Sequence, residues 1–431
     1  MISDHQVIEL GNALLLKVQL PSHTESEALQ ALEELASLAT TVGCQVKEQI
    51  IQARPQIHPA TFVGKGKLSI IKEAIHHFDI HLVIVDGLLT PKQGKNLEDS
   101  LKCMVWDRTQ LILEIFVNNA KTHEAKKQIE LARLQYMLPR LVGMWAHLDR
   151  ERGGIGASRG MGEKQIETDR RVIRSRIAHL KEDIIHVENE RNIQKKRRSH
   201  CLKVSLIGYT NAGKSTVMNA LTESALLVEN KLFATLDSTT RMLDEKNRPQ
   251  ILLSDTVGFI KNLPHELVAS FRSTLEVVRD ADLLFHVIDV SAADYEEHIT
   301  TTLQVLDELE ANRIPRIMVF NKIDQIKSPT QLLIMKKQYP QALFVSAQND
   351  DVAKKLRKKI IQFFDQKMKT VSICLDYQES HNLAHVYEWS RVDQIDYMDD
   401  GIHLTLTAPS GNLSRLRHQI GSSHFQGEQA S

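Results

Sequence analysis

The segment from residue 203 to residue 221 constrains the fold of this chain most strongly. An apolar run, Lys203–Ile207, precedes Gly208-Tyr209-Thr210-Asn211-Ala212-Gly213-Lys214-Ser215, and Thr216–Leu221 can begin a helix. Glycines in such a turn let backbone N–H groups approach phosphates, because no Cβ stands in the way. Lys214 can reach the β- and γ-phosphates of a nucleotide, and the Ser215 hydroxyl can ligate Mg²⁺. The segment therefore predicts a nucleotide-binding α/β domain, with residues 208–216 around the phosphates.

A second motif adds groups for a Mg²⁺-bound nucleotide. Asp255-Thr256-Val257-Gly258 ends the apolar run Ile251–Ser254. Asp255 can hold Mg²⁺ through a water molecule, and the Gly258 N–H can approach the γ-phosphate. We therefore predict Gly258 and Lys214 as catalytic groups.

A third motif indicates which base is bound. Asn321-Lys322-Ile323-Asp324 ends the run Arg316–Phe320. A carboxylate at Asp324 can accept hydrogen bonds from the N1–H and N2 amine of guanine, a pair of donors that adenine lacks. Lys322 can cover the base with its stem, and Asn321 can tie the base loop to the phosphate loop. The motif predicts guanine.

A fourth motif, Ser346-Ala347-Gln348, follows one more strand, where a backbone N–H can meet the guanine O6. Each short motif is weak alone, but four in this order, each after a strand, are specific. The arrangement resembles the translation-factor-like GTPases. It predicts GTP as substrate, GDP as product and Mg²⁺ as cofactor.

The first switch should lie between residues 215 and 255. We assign it to Phe233-Ala234-Thr235-Leu236-Asp237, with Thr235 as the second hydroxyl ligand of Mg²⁺ and as a catalytic group. The hydroxyl residues at 238–240 are rivals for the ligand. A threonine-rich loop without a metal role is the alternative.

Two positions bear on the rate of hydrolysis. Phe259 follows Gly258, where many GTPases place a glutamine that orients water. Phenylalanine cannot hydrogen-bond water, so intrinsic hydrolysis should be slow and should depend on another group, a partner or a cation. Asn211 is at the position seen in GTPases that use K⁺, but asparagine also suits the local backbone, and both interpretations stay open.

The rest of the chain predicts an α/β protein in which the P-loop domain, residues 200–367, has smaller neighbours. Residues 1–118 alternate strand-like and helix-like patterns, which predicts a small α/β domain with a parallel sheet. Strands are expected at Leu14–Leu20, Val46–Ile51 and His81–Asp86, and helices at Ser26–Thr40, with Thr24 and Glu27 as a capping box, and Pro91–Leu101. Residues 368–431 predict a small C-terminal α+β domain with strands at Val371–Leu375 and His403–Thr407 and a frayed end from His424.

Residues 119–199 predict an antiparallel helical hairpin. Ala120–Leu138 and Glu167–Arg198 are long, charged and free of glycine, and proline is absent from both. Between them, Gly153–Gly162 has five glycines in ten residues, which we expect to be an extended loop rather than helix. Lys121–Arg198 carries 19 basic and 11 acidic residues, although the whole chain has zero net charge. The local excess suggests a polyanionic partner, and a salt-bridged helix pair is the alternative.

Cysteines and hydropathy indicate the compartment. The four cysteines lie singly, without disulfide or metal spacing. No apolar run approaches the roughly 18–20 residues that span a bilayer, and the start has no signal-peptide pattern. We expect a monomeric cytoplasmic protein, with weak membrane association left open.

Residues before the P-loop give a closer resemblance. His58-Pro59-Ala60-Thr61-Phe62-Val63-Gly64-Lys65-Gly66-Lys67, Val105-Trp106-Asp107-Arg108-Thr109 and the glycine-rich segment Gly153–Thr168 resemble the HflX family of GTPases. The resemblance covers nearly the whole chain and is sharpest over residues 54–260. The chain departs from the family pattern at Ser158, Met161, Lys164 and Gly87-Leu88-Leu89-Thr90.

The resemblance implies binding to the large ribosomal subunit and its rRNA, with dissociation or rescue of stalled ribosomes under stress. The loop between the helices would reach toward the rRNA, and some members also hydrolyse ATP through the N-terminal half. An assembly or signalling GTPase that uses the hairpin as a protein-binding arm is the alternative. An RNA-binding module with vestigial hydrolysis is a third.

Overall fold

A computed structural model describes residues 11–141, 159–222, 232–233, 235–236, 238–244, 247–261, 272–326 and 328–429 of the chain. The chain divides into two units. The first consists of Met1–Val187, Asn230–Leu236 and Asn262–Arg272, and the second of Glu188–Glu229, Asp237–Lys261 and Ser273–Ser431. The four domains bounded at residues 118, 199 and 367 stay a prediction.

The first unit contains a four-stranded parallel sheet in the order β2-β1-β3-β4. Its apolar strands are buried because helices α2 and α3 pack on one face, while α1 and α4 contact the strands from the other. The elements are β1 (Asn12–Gln19), α1 (Glu25–Thr41), β2 (Gln45–Ala53), α2 (Lys65–Phe78), β3 (Ile80–Val85), α3 (Pro91–Leu101), β4 (Met104–Asp107) and α4 (Arg108–Asn119).

Helix starts in this unit follow local capping chemistry. The predicted capping box is present, since Glu27 N donates to Thr24 Oγ1 at 3.2 Å and Thr24 N donates to the Glu27 carboxylate at 2.7 Å. Thr90 caps α3 in the same manner. Helix α4, which the sequence analysis missed, begins after Asp107, whose side chain accepts from Gln110 N. Capping therefore explains helix starts that apolar spacing alone does not.

Buried ion pairs occupy the carboxyl ends of β3 and β4. Asp86 pairs with Lys17 and with Arg108, and Arg108 also pairs with Glu34. Asp107, which is 1% exposed, accepts from Tyr136 and from Arg140 at the end of the next helix. Ligands usually enter an open α/β sheet at this edge, but here the charged side chains are ion-paired with one another. ATP hydrolysis by the N-terminal half stays a prediction.

The helical hairpin is antiparallel, as predicted. Helix α5 (His123–Met137) and helix α6 (Arg159–Arg197) pack through an apolar seam that includes Leu131, Leu134 and Leu180. Lys127 pairs with Asp183 at 2.9 Å, while Glu130 pairs with Arg176 at 2.8 Å, so the contacts run in opposite directions along the two helices.

The start of α6 corrects the expectation for the glycine-rich segment. The helix begins at Arg159, so Gly160 and Gly162 are helical rather than part of an extended loop. Glycine costs about 1 kcal/mol per helical position relative to alanine, and a helix of 39 residues tolerates this at its first turn. Residues 142–158, with the other three glycines, lie outside the described residues.

The second unit contains a six-stranded sheet in the order β10-β9-β8-β5-β7-β6, parallel except for β6, which pairs antiparallel with β7. Its apolar core lies between the central strands and the helices that follow them. The elements are β5 (Leu202–Ile207), α7 (Lys214–Thr222), β6 (Thr239–Met242), β7 (Ile251–Asp255), α8 (Arg272–Arg279), β8 (Leu283–Asp289), α9 (Tyr295–Glu308), β9 (Arg316–Asn321), α10 (Pro329–Gln338), β10 (Leu343–Phe344) and α11 (Asp350–Asp365).

A second, antiparallel sheet in this unit has the order β12-β13-β11-β14. The elements are β11 (Met368–Leu375), α12 (Leu383–Trp389), β12 (Arg391–Met398), β13 (Gly401–Pro409), α13 (Ser410–Ile420) and β14 (Phe425–Gln429). The expectation of a frayed end from His424 is wrong for Phe425–Gln429, because this segment pairs with β11 and its backbone groups are satisfied there. Among the described residues, no helix has the length and apolar content to cross a bilayer.

Candidate functional site

The four predicted motifs follow parallel strands of the six-stranded sheet. Parallel strands end at the same edge, so the loops after β5, β7, β9 and β10 meet there. These loops carry the predicted residues Gly208–Thr216, Asp255–Gly258, Asn321–Asp324 and Ser346–Gln348. The sheet topology thus brings these four groups together.

Lys214 is the first residue of helix α7, directly after the phosphate loop. It is 6% exposed, and its Nζ donates to the carbonyls of Tyr209 at 2.8 Å and Gly208 at 3.2 Å. Burial lowers the pKa of Lys214 to about 8, although the Asp255 carboxylate opposes this shift. A buried ammonium group with few counter-charges is suited to a phosphate anion, because an anion offsets the cost of removing the charge from water.

Two glycines in the phosphate loop have no room for a side chain. Gly208 has φ +144°, and a Cβ would lie 2.1 Å from the carbonyl oxygen of Val287. Gly213 has φ +90°, and a Cβ would lie 2.3 Å from the amide nitrogen of Asn321. The loop backbone can therefore approach both its neighbours and a ligand closely.

Ser215 and Asp255 bring two oxygen ligands together. The Ser215 Oγ donates to Asp255 Oδ2 at 2.6 Å, and Asp255 is 1% exposed at the end of β7. The adjacent Thr256 donates its hydroxyl to the carbonyl of Leu206 at 2.7 Å, which fixes this loop against β5. Hydroxyl and carboxylate oxygens are the ligands that Mg²⁺ prefers, so the pair fits that ion.

Gly258 and Phe259 join the second motif to the phosphate loop. Phe259 N donates to the Gly208 carbonyl at 3.1 Å, and Thr210 N donates to the Phe259 carbonyl at 2.8 Å. A Cβ on Gly258 would lie 2.7 Å from Thr210 Cα and 3.0 Å from Lys214 Nζ. Only glycine therefore lets the backbone approach Lys214 this closely.

Asn321 connects the base loop to the phosphate loop. Its amide nitrogen donates to the Ala212 carbonyl at 3.0 Å, while its oxygen accepts from Ala347 N at 3.0 Å. Asn321 is 2% exposed. One buried amide thus holds the first, third and fourth motifs in a fixed arrangement.

The other groups of the base loop face outward. Lys322 adopts a left-handed conformation with φ 63°, and its Nζ pairs with Asp289 at 2.6 Å. Asp324 and Gln348 are exposed, and Ile323 N donates to the Val345 carbonyl at 3.3 Å. An exposed Asp324 carboxylate next to this ordered backbone is available to a base.

The switch segment is placed only in part. Ala234 and Asp237 lie outside the described residues. Phe233, Thr235 and Leu236 belong to the first unit, where Phe233 is 3% exposed and contacts Phe116 edge to face at a centroid distance of 4.8 Å. Asn119 donates to the Phe233 carbonyl at 2.9 Å. The role of Thr235 as a Mg²⁺ ligand stays a prediction.

Sequence reasoning missed two contributors to the site. Asp289 ends strand β8 between the P-loop strand and the base-loop strand and forms the ion pair with Lys322. His298 stacks on Tyr209 at a centroid distance of 3.7 Å, and the Tyr209 hydroxyl accepts from Lys261 N at 2.9 Å. The position of Asp289 at a strand end was a usable signal, whereas the contact with His298 depends on tertiary structure.

This sheet, its phosphate loop and its base loop define a P-loop GTPase. Three family profiles match the chain in sequence order. They are described as GTP-binding GTPase N-terminal over residues 29–117, GTP-binding GTPase Middle Region over residues 119–198 and 50S ribosome-binding GTPase over residues 203–322.

Relatives with similar sequences cover nearly the whole chain. GTPase HflX of Flavobacterium psychrophilum is 42% identical over 380 residues, which are 83% of this chain and 92% of that protein. GTPase HflX of Magnetococcus marinus is 39% identical over 97% of each chain. A GTP-binding protein from Sulfolobus solfataricus solved with GDP is 24% identical, with 81% of this chain and 97% of that chain covered and a TM-score of 0.43. The chain belongs to the HflX family: it binds guanine nucleotides and is a GTPase, which confirms these two predictions.

Proposed function

We propose that this GTPase binds the large ribosomal subunit in its GTP state, and that it dissociates or rescues stalled ribosomes under stress. The observation that carries the proposal is the match of residues 203–322 to the 50S ribosome-binding GTPase profile. GTP would order the loops around Thr235 and Gly258, and hydrolysis would release them. Ribosome affinity would therefore follow the nucleotide state.

The proposed roles in the site follow from the contacts. Lys214 neutralises the β- and γ-phosphates, and the N–H groups of residues 208–216 bind the phosphate oxygens. Ser215 would bind Mg²⁺ directly, Asp255 would hold it through water and Thr235 would supply the second hydroxyl. Asp324 selects guanine, Lys322 covers it, and the loop at residues 346–348 binds its O6. The ion supplies positive charge that stabilises the phosphoryl oxygens in the transition state.

Hydrolysis by the chain alone should be slow. The Phe259 side chain is 2% exposed, and its backbone is bonded to the phosphate loop on both sides. A buried aromatic ring cannot orient a water molecule at the γ-phosphate. We infer that the ribosome supplies or positions the group that completes the site.

Potassium is a second source of positive charge. Asn211 has φ 59°, a left-handed conformation that asparagine tolerates better than most residues. This backbone conformation is one sufficient reason for an asparagine at position 211. The other interpretation, which we propose for testing, is that GTP hydrolysis depends on a K⁺ ion bound near Asn211. Equal GTP turnover in K⁺ and in Na⁺ would exclude a catalytic role for K⁺.

RNA contact is proposed for the hairpin. Arg171 and Arg174 are exposed on α6, whereas Arg176 on the same helix is bidentate to Glu130 at 2.8 and 2.9 Å. Arg174 has only a long, exposed ion pair with Glu167 at 3.8 Å, so Arg171 and Arg174 are better candidates for phosphate contacts than the bidentate Arg176.

Cosedimentation of the full chain with purified large subunits tests the proposal. We expect pelleting with a non-hydrolysable GTP analogue to exceed pelleting with GDP and to fall as salt rises. Arg171→Ala with Arg174→Ala should weaken pelleting, while Arg176→Ala, the matched control on the same helix, should weaken it less. Equal pelleting with the GTP analogue and with GDP would contradict the proposal.

A loop variant tests the rRNA contact separately. Because α6 begins at Arg159, the shortening should stop at residue 158 and spare the helix. Ribosome binding should be lost while GDP binding is retained. Loss of both would mean that residues 153–158 have a structural role instead.

The alternative is an assembly or signalling GTPase with a protein partner. Val172, which is 61% exposed, and Ile185, which is 55% exposed, are exposed aliphatic positions on α6 at which a protein contact can be tested. Serine at both positions should then abolish partner capture without changing ribosome pelleting. We also propose that the chain is monomeric, which light scattering at several concentrations tests.

A further inference from the structure

Three potential metal ligands meet on the outer face of the C-terminal sheet. Cys374 on β11 lies directly opposite His403 on β13 in the antiparallel register. The neighbouring residues Ile402 and Leu404 point into the apolar core of this sheet. Since side chains alternate along a strand, Cys374 and His403 share the opposite face.

The separation of Cys374 and His403 fits two ligands of one tetrahedral ion. Cys374 Sγ lies 3.6 Å from His403 Nε2. Zinc bonds of about 2.3 Å to sulfur and about 2.0–2.1 Å to nitrogen place the two ligand atoms about 3.6 Å apart at a tetrahedral angle. The same imidazole nitrogen lies 3.0 and 3.1 Å from the carboxylate oxygens of Asp400, and one donor atom from each of the three residues lies within 4.8 Å of the other two.

The backbone keeps this point accessible. Asp400 lies in the turn between β12 and β13 with its side chain 70% exposed, so it can move by a few tenths of an ångström without repacking a core. The next residue, Gly401, has φ +144°, and a Cβ there would lie 3.2 Å from Cys374 Sγ. Glycine thus leaves the sulfur uncrowded beside the turn.

Charge in the cluster favours a dication over a free thiolate. The carboxylates of Asp400 and Asp376 lie close enough to the Cys374 thiol to act on it electrostatically, and Asp400 is also hydrogen-bonded to His403. The acidic groups that disfavour an isolated thiolate stabilise a divalent cation bound to it.

We propose that Cys374, His403 and Asp400 bind one Zn²⁺ ion. Thiolate, imidazole and carboxylate are the ligands that zinc uses in proteins, whereas Mg²⁺ prefers oxygen alone. Three protein ligands leave the fourth position to water or to a group from a partner. The ion ties β11, β13 and the β12–β13 turn together, so it stabilises this sheet independently of the nucleotide site.

Metal titration of the full chain, saturated with Mg²⁺ and GDP, tests the proposal. Co²⁺ serves as a coloured substitute, and competition with a chromophoric chelator gives the Zn²⁺ affinity and stoichiometry. We expect a thiolate-to-cobalt charge-transfer band and about one Zn²⁺ per chain. Cys374→Ala should remove the band, and His403→Gln should weaken Zn²⁺ binding by more than the roughly 10–100-fold that loss of an outer partner costs.

Two further variants keep the test decisive. Cys103→Ala, which changes a half-buried thiol of the first unit, should leave the band unchanged. Asp400→Asn changes an exposed residue and should weaken Zn²⁺ binding even if Cys374→Ala fails to fold, with GDP affinity as the folding control. Absence of the band in the natural chain, its persistence in Cys374→Ala, or unchanged Zn²⁺ affinity in Asp400→Asn would overturn the proposal.

Discussion

Asn321 shows how a single side chain organises the nucleotide site. Its amide bridges Ala212 and Ala347, which lie far apart in sequence, through two buried hydrogen bonds. The motif and the strand before it predicted a link to the phosphate loop. The second bond, to the fourth motif, depends on how β9 and β10 are paired, and residue spacing does not contain this information.

Guanine selectivity is tested at Asp324. Asp324→Asn should lower GDP affinity about 10- to 100-fold, the scale of a lost charge-assisted hydrogen bond. Xanthosine diphosphate should bind better than before, because an amide N–H can donate to the C2 carbonyl that replaces the guanine amine. Equilibrium titration with labelled GDP and competing nucleotides measures both effects.

Gln325→Ala is the matched control for this change, since Gln325 is exposed in the same short turn. It should leave both affinities unchanged. Unaltered preference for GDP in Asp324→Asn would contradict the assignment of the base-binding carboxylate.

His286 makes the stability of the folded chain depend on pH. It is 1% exposed on β8, and burial, with help from Arg316 and Lys214, lowers its pKa from 6.5 to about 3. Below pH 6.5 the unfolded chain binds a proton that the folded chain does not, so stability falls as pH falls toward 3. The expected slope from this group is up to about 1.4 kcal/mol per pH unit.

Urea unfolding at pH 7.5 and pH 5 measures this effect by comparison with His286→Leu. The natural chain should lose about 2 kcal/mol more than the variant between the two conditions, by the linkage relation. Equal losses would mean that His286 is protonated in the folded state as readily as in the unfolded chain.

At the scale of elements, apolar periodicity predicted the central strands and the edge strand β2 but missed other edge strands. β1, β3 and β9 carry continuous apolar runs, as is typical of strands covered on both faces. β6, β12 and β14 are edge strands rich in polar residues, and polar edges resemble loops in a single sequence. The start of α6 was misjudged for a related reason, since long helices override the local cost of glycine.

The hairpin seam is tested by two substitutions on one helix. Leu180 is fully buried against α5, so Leu180→Ala should destabilise the hairpin by about 2–5 kcal/mol. Ile185, which is 55% exposed on the same helix, provides the control, and Ile185→Ala should change stability by less than about 0.5 kcal/mol. Native-state hydrogen exchange of the α5 amides reports the difference. Similar exchange in both variants would contradict a packed hairpin.

Across the whole molecule, the sequence motifs predicted the chemistry of the nucleotide site more completely than they predicted the architecture of the chain. The P-loop, the Asp-x-x-Gly motif and the base loop each sit at a strand end because their backbones require it, so sequence order alone placed them. The switch was less predictable. Phe233 is packed against Phe116 of the first unit, and a contact between segments more than a hundred residues apart has no local signature.

Phosphate release from GTP, measured with and without purified large ribosomal subunits, tests the central claim most directly. We predict slow release by the chain alone and acceleration by about 100-fold or more, the scale that one well-placed group contributes to a transition state. Lys214→Ala should show neither the slow release by the chain alone nor the accelerated release with large subunits. Release that large subunits leave unchanged, or that persists in Lys214→Ala, would contradict a GTPase whose site is completed on the ribosome.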